Sequence, residues 1–197
     1  MGSRQMSRLG RQISVRLVII GLVVVVASAV AASPPPAAPN TTTDTASIQQ
    51  VIRGALVATH TLEAPPASYT GGRMLASTQQ EMLARASSVL SQYYTGAQLN
   101  TYVQVIQSHI RADQSGSTRY LAGGIDNLIF HEVLVTGLSA SVTASVTAWT
   151  IVAQDQNGKL VRANPHNTVN YTFSLTKGTG RWLIDGEVWT FAPGSAP

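Results

Sequence analysis

Leu138 to Val152 reads LSASVTASVTAWTIV, and its alternation decides the fold. Leu138, Ala140, Val142, Ala144, Val146 and Ala148 take the even positions; Ser139, Ser141, Thr143, Ser145 and Thr147 take the odd ones. A strand turns successive side chains to opposite faces of a sheet, so this period of two makes one dry face and one polar face. From Trp149 the odd positions turn apolar as well, with Ile151 following. The far half of the strand is therefore expected to be covered on both sides.

Working outward towards the C-terminus, the strand runs into Asp155-Gln156-Asn157-Gly158, where Asn-Gly is a strong hairpin signal. The next strand carries Val169, Tyr171, Phe173 and Leu175 on odd positions, opposite Thr168, Asn170, Thr172, Ser174 and Thr176. Pro165 is expected at its beginning or at a bulge, because proline cannot donate in a central ladder. Lys177-Gly178-Thr179-Gly180 turns the chain into a last strand, Arg181 to Phe191, with a bulge or bend at Asp185-Gly186-Glu187.

Working outward towards the N-terminus, Gly137 makes a tight turn from a strand over Leu128 to Thr136, and Asp113 to Gly124 reads as a loop with Tyr120 and Leu121 as plugs. Three helices precede it. The first starts near Asp44 or Thr45, carries Ile48, Val51, Ile52, Ala55 and Leu56, and ends near Thr61. The second opens on the pair Thr78 and Glu81, which fits a capping box, and continues with Met82, Ala86, Val89, Leu90 and Tyr93 on one face. Thr95-Gly96 separates it from the third, striped by Leu99, Val103, Ile106 and Ile110. The pattern predicts an α+β fold: three N-terminal helices packed on one face of a curved antiparallel sheet of about four main strands.

The chain has 197 residues and a formal charge of +4. Arg4, Arg8, Arg11 and Arg16 account for the excess, since the remaining nine Lys and Arg balance nine Asp and Glu. These arginines precede an apolar run, Leu17 to Val26, and the small residues Ala27 to Ala32. That order reads as a secretory signal peptide cleaved after Ala29 or Ala31, or as an uncleaved anchor, because residues 13–32 approach the length of about 20 that spans a bilayer. Either reading exports the rest, secreted or held on the outer face of the cytoplasmic membrane, with membrane contact only through that segment if it is retained. The organisation is then 1–32 signal peptide or anchor, 33–45 Pro- and Thr-rich linker, 46–193 folded domain and 194–197 tail. A neutral exported part argues against nucleic acid as a partner, and the absence of cysteine excludes a thiol nucleophile and a Cys-ligated metal.

Candidate chemistry is sparse. Tyr102, His109 and Asp113 fall on one edge of the third helix's apolar stripe, where they would line a pocket; His109 and Asp113, four residues apart, would share a proton or begin a metal site. The competing reading makes His109 a boundary residue and Asp113 a helix-end polar group. One His and one carboxylate fall short of the three or four ligands that a metal needs, so no metal and no cofactor is expected. Asp185 and Glu187 share a face if the last strand is regular, but an edge hairpin exposes them. Trp149, Trp182 and Trp189 with Tyr171 and Phe173 make an aromatic end of the sheet, either core or pocket wall.

The element order, with Ser88 to Tyr94 (SVLSQYY), the long strand Leu138 to Trp149 and the closing Gly180-Arg181-Trp182-Leu183-Ile184-Asp185, resembles the cystatin-like cone superfamily of nuclear transport factor, the ketosteroid isomerases and the SnoaL-like cyclases. The resemblance covers Ala46 to Pro193 and implies a cone-shaped pocket and homodimerisation through the sheet. In an isomerase of that fold a carboxylate base faces an acidic donor; Asp126 and Asp113 are candidates for the base and Tyr93, Tyr94 or Tyr102 for the donor, and no catalytic residue carries over by motif. Because the fold hosts enzymes and non-enzymes alike, two expectations follow. One is a non-enzymatic extracytoplasmic binding or accessory module for a protein partner or a small apolar ligand. The other is a small-molecule isomerase or cyclase using a carboxylate in an apolar cone. Tyr102, His109, Asp113, Asp126, Trp149, Tyr171 and Trp182 are the pocket candidates.

Overall fold

The computed structural model describes residues 41–66, 74–112, 118–156, 159–163 and 165–195, all within one compact unit, Ala38–Pro197. The leader, most of the linker, Asp113 and the Asn157-Gly158 turn lie outside them. Among the described residues no helix is long and apolar enough to cross a membrane.

The described residues begin with three helices: α1 (Thr41–Thr61), α2 (Ala76–Leu90) and α3 (Gly96–Ala112). Their apolar residues recur at helical spacing and are buried, with Ile48, Ile52, Ala55 and Leu56 from α1, Met82, Leu83, Ala86 and Leu90 from α2, and Ile106 and Ile110 from α3. The capping box at Thr78 does not form. Helix α2 begins at Ala76, with Leu75 as an N-cap that makes no side-chain bond and buried Met74 just ahead of it. Gly96 takes a φ of 58° where the chain turns into α3, a conformation that favours glycine.

Five antiparallel strands follow: β1 (Thr118–Thr136), β2 (Ser139–Gln156), β3 (Lys159–Ala163), β4 (His166–Lys177) and β5 (Trp182–Phe191). The main order is β1-β2-β4-β5, and the short β3 pairs with the far end of β2. The alternating stretch is thus an interior strand. Ala140, Val142, Ala144, Val146 and Ala148 are buried in one core with residues of all three helices, which buries their apolar area and drives the layers together. The odd face is polar and bonded across strands: Ser145 bonds His131 and Asn170 at 2.7 Å each, and Thr147 faces Thr168 at 3.1 Å. Leu138 departs from the pattern, exposed beside the Gly137 turn ahead of β2.

Two further departures concern the strands. Residues 118–124 are strand, not loop: β1 starts at Thr118 and absorbs three register shifts, one of them between Tyr120 and Ala122. Gly123-Gly124 resembles a loop signal but is a matter of space. A Cβ on Gly123 would stand 1.9 Å from the Tyr120 hydroxyl and 2.4 Å from the His60 carbonyl oxygen, and one on Gly124 3.0 Å from the Trp149 ring. The other departure is β3, a strand that hydropathy alone does not separate from the loop leading to β4.

Candidate functional site

The site starts from one irregularity in β5. Leu175 pairs with Ile184 and Ser174 with Gly186, so Asp185 is an extra residue opposite no partner. Counting by twos from buried Trp182 and Ile184 would turn Gly186 and Val188 inward. The bulge instead brings Glu187 opposite buried Phe173 and leaves Asp185 and Val188 exposed. Asp185 and Glu187 therefore do not share a face, and Glu187 is covered although β5 is a sheet edge.

Segments around β5 hold its carboxyl group. Tyr94 sits between α2 and α3, fixed by backbone bonds from Thr95 N to Ile184 O at 2.9 Å and from Ile184 N to Tyr93 O at 2.8 Å. Tyr102 on α3 donates its hydroxyl to Glu187 Oε1 and packs against Tyr94 with ring centroids 4.5 Å apart. The Tyr94 hydroxyl and Glu187 Oε2 are both buried and neither makes a hydrogen bond of good geometry, but the Tyr94 phenol lies near enough to favour the ionised carboxyl. Burial raises the Glu187 pKa to about 7, against the pull of the Tyr102 and Tyr94 phenols, which lower it. Burial, reinforced by the neighbouring negative charge, lifts Tyr94, Tyr102 and Tyr171 upward, so these phenols stay neutral donors.

Glu187 forms one wall of a cavity of about 560 Å³. Helix α1 and the turn after it supply Thr59, His60 and Glu63, and α3 supplies Gln98, Thr101, Tyr102, Val105 and Ile106. The sheet contributes Tyr120, Thr150, Tyr171 and Trp189. Tyr120 is anchored by its hydroxyl on the His60 carbonyl at 2.9 Å, and burial holds the His60 imidazole below its ordinary pKa, hence neutral. An adjoining cavity of about 200 Å³ shares His60, Thr150, Tyr171 and Trp189 and adds Ala148, Val169 and Phe191, a mainly apolar annex. The arrangement offers one carboxyl group that changes charge near neutrality, a phenol bonded to it, and aromatic walls.

Of the residues singled out from sequence, the structure brings Tyr102 and Tyr171 together on this cavity. His109 is exposed and paired with Glu63 at 2.7 Å, so it reaches the cavity only through that partner. Asp126 lies on the surface, bonded to His166 at 2.7 Å, away from the cavity lining. Trp149 is half-buried with its ring against Gly124. Trp182 is fully buried, but at the opposite end of β5, where its Nε1 donates to Asp44 at 3.0 Å. Asp113 lies outside the described residues, among which no three potential ligands are grouped to hold a metal. Sequence reasoning missed Glu187, His60, Glu63 and Tyr120 as cavity residues, while Trp189, read as core or pocket wall, is in the lining. The available signal was Asp185-Gly186-Glu187 itself, since a bulge there reverses which later residues face inward.

No family model matches the chain, and no curated protein matches it. Among solved structures it is similar to the intermembrane space region of chloroplast protein ARC6, at 14% identity over 61% of this chain and 100% of that one, with a TM-score of 0.43. It is similar also to an NTF-2-like protein of unknown function from Silicibacter pomeroyi, at 10% identity over 78% and 99% with a TM-score of 0.39. A third is CagV, a VirB8 homolog of T4SS from Helicobacter pylori, at 10% identity over 73% and 98% with a TM-score of 0.41. Likenesses of this size assign neither family nor function.

Proposed function

We propose that this chain is an extracytoplasmic binding module for a small molecule, with the three helices closing over one face of a curved sheet and the ligand entering beside Glu187. The observation that carries the reading is the Glu187 carboxyl group covered in the wall of an aromatic cavity of about 560 Å³. A structural core at this position would be filled with aliphatic side chains, since burying a carboxyl without full hydrogen bonding is costly. Export rests on the four leading arginines and the apolar run behind them. Protein docking finds less support. The exposed apolar residues Ile129 and Leu134 on β1 and Val188 on β5 stand at opposite edges of the sheet, with the Ser and Thr rows of β2 and β4 between them.

The test uses 1-aminoanthracene, a neutral probe that brightens in apolar surroundings. Wild-type protein should bind it, and Thr59→Trp, which fills the cavity from α1, should abolish binding while circular dichroism stays unchanged. Undiminished binding in the filled variant would place the probe elsewhere and defeat the proposal.

A second reading is favoured by the Glu187 pKa of about 7 and its phenol partner Tyr102. Such a carboxylate suits general-base removal of a carbon-bound proton, the chemistry of an isomerase or cyclase. Ring opening of 5-nitrobenzisoxazole probes it: the base takes the C–H proton, the electrons close the nitrile, and the N–O bond breaks to a phenolate. A rate that rises through pH 7 and disappears in Glu187→Gln would establish the base. Equal rates in the two proteins would leave binding alone.

A further inference from the structure

The cavity's chemistry narrows the ligand class. Its charged lining side chains are both carboxylates, Glu187 and Glu63, and no lysine or arginine reaches it among the described residues. Tyr102, Tyr120, Tyr171 and Trp189 supply the aromatic wall. Glu187 Oε1 is taken by Tyr102, and Oε2 is buried with the Tyr94 phenol nearby. These features discriminate between ligand charges. An anion would meet two carboxylates with no opposing cation. A neutral apolar molecule would leave the buried charge of Glu187 without a counterion, which is costly. A protonated amine meets both needs: its charge offsets the carboxylates of the lining and lies against aromatic faces, whose quadrupoles attract cations.

Resting on the small-ligand reading above, we infer that the cavity takes a protonated organic amine, its ammonium head drawn to the negative charge of Glu187 against the aromatic wall and its apolar portion in the adjoining cavity of about 200 Å³. The titration of Glu187 agrees with this. Burial delays release of the Glu187 proton to near pH 7, and a bound ammonium group would replace that proton. Amine affinity should therefore rise with pH through about 7 and level off above it. The other titratable groups facing Glu187 are the phenols of Tyr94, Tyr102 and Tyr171, neutral across that range; His60, Glu63 and, through Glu63, His109 lie further along the cavity.

The experiment is calorimetric titration of the full-length chain at pH 8 with three probes of one shape and different charge: 3,3-dimethylbutylamine, 3,3-dimethylbutan-1-ol and 3,3-dimethylbutanoate. The amine should bind at least tenfold more tightly than the alcohol, and the acid should show no binding. In Glu187→Gln, checked for folding by circular dichroism, amine affinity should fall at least tenfold, to the level that the alcohol shows in the same variant. Equal affinities for amine and alcohol, a preference for the acid, or undiminished amine binding in Glu187→Gln would overturn the inference. If none of the three binds while 1-aminoanthracene does, the amine assignment fails and the small-ligand reading stands. If 1-aminoanthracene fails as well, both fall.

Discussion

Glu187 meets a requirement that most buried carboxylates escape, because its lining provides one hydrogen bond where an ionised carboxylate seeks several. Its folded pKa of about 7 stands above the ordinary value of 4.5, which fixes the sign of its effect on stability. The neutral acid is the form the fold favours. Its contribution is fully present below about pH 4.5 and is lost as pH rises through 7. Above that point the wild-type protein holds a charge in the cavity at a cost on the order of 2 kcal/mol, discounted for partial solvent access. Glutamine keeps an acceptor for Tyr102 and never ionises. Glu187→Gln should therefore match the wild type in urea denaturation at pH 4 and exceed it by on the order of 2 kcal/mol at pH 8.5. The remaining titratable groups are common to both proteins and cancel. Equal stabilities at pH 8.5 would mean that the ionised carboxylate is solvated, and the cavity argument would lose its polar anchor.

Among the elements, β1 and β5 are the two whose details depend on neighbours rather than on their own pattern. In β1 the space above Gly123 is filled by the Tyr120 hydroxyl and by the His60 carbonyl at the end of α1. A side chain can swing away, but the carbonyl moves only if α1 moves. Gly123→Ala should cost about 1–3 kcal/mol in urea denaturation, as overpacked sites do, and break the bond between Tyr120 and His60. Gly178→Ala, where an added Cβ meets nothing within 4 Å, should stay within about 0.5 kcal/mol of wild type. A wild-type midpoint in Gly123→Ala would show that the contact between α1 and β1 is loose. The same dependence explains what was legible in the sequence. Periodicity carries long, regular elements, so the three helices, the alternating β2 and most of β4 could be read from residue spacing, as could the presence of Tyr102 and Tyr171 on inward edges. Gly123 and Gly124 were misread because their reason lies in Tyr120, His60 and Trp149, which approach only after folding. Glu187 was passed over because one extra residue, Asp185, reverses the inward parity of β5, and parity counted along a strand does not reveal which residue is extra.

Over the whole molecule, α1 is held at two ends by different chemistry. At its C-terminal end the His60 carbonyl accepts from Tyr120, beside the cavity. About 24 Å away, from the helical rise over the 16 residues between His60 and Asp44, Asp44 accepts from Lys177 Nζ at 2.5 Å and from Trp182 Nε1 at 3.0 Å. This latch joins the first helical turn to the turn between β4 and β5, 133 and 138 residues later. The Lys177 bond, then the Trp182 bond, hold the Asp44 pKa below its ordinary value. The sign is therefore opposite to that of Glu187: the contribution is present above the ordinary carboxylate range and is lost as pH falls through it. The urea midpoint of the wild type should drop between pH 6 and pH 2.5, and Asp44→Asn, which has already lost the charge, should start lower and drop less. An equal drop in both proteins would assign the acid sensitivity to other carboxylates. Because the latch is remote from Glu187, Asp44→Asn should also keep its affinity for 3,3-dimethylbutylamine at pH 8 within about twofold of wild type, while amide exchange in the first turns of α1 accelerates. Loss of amine binding in that variant would mean that the two ends of α1 are not independent and that the cavity keeps its shape only while the latch is closed.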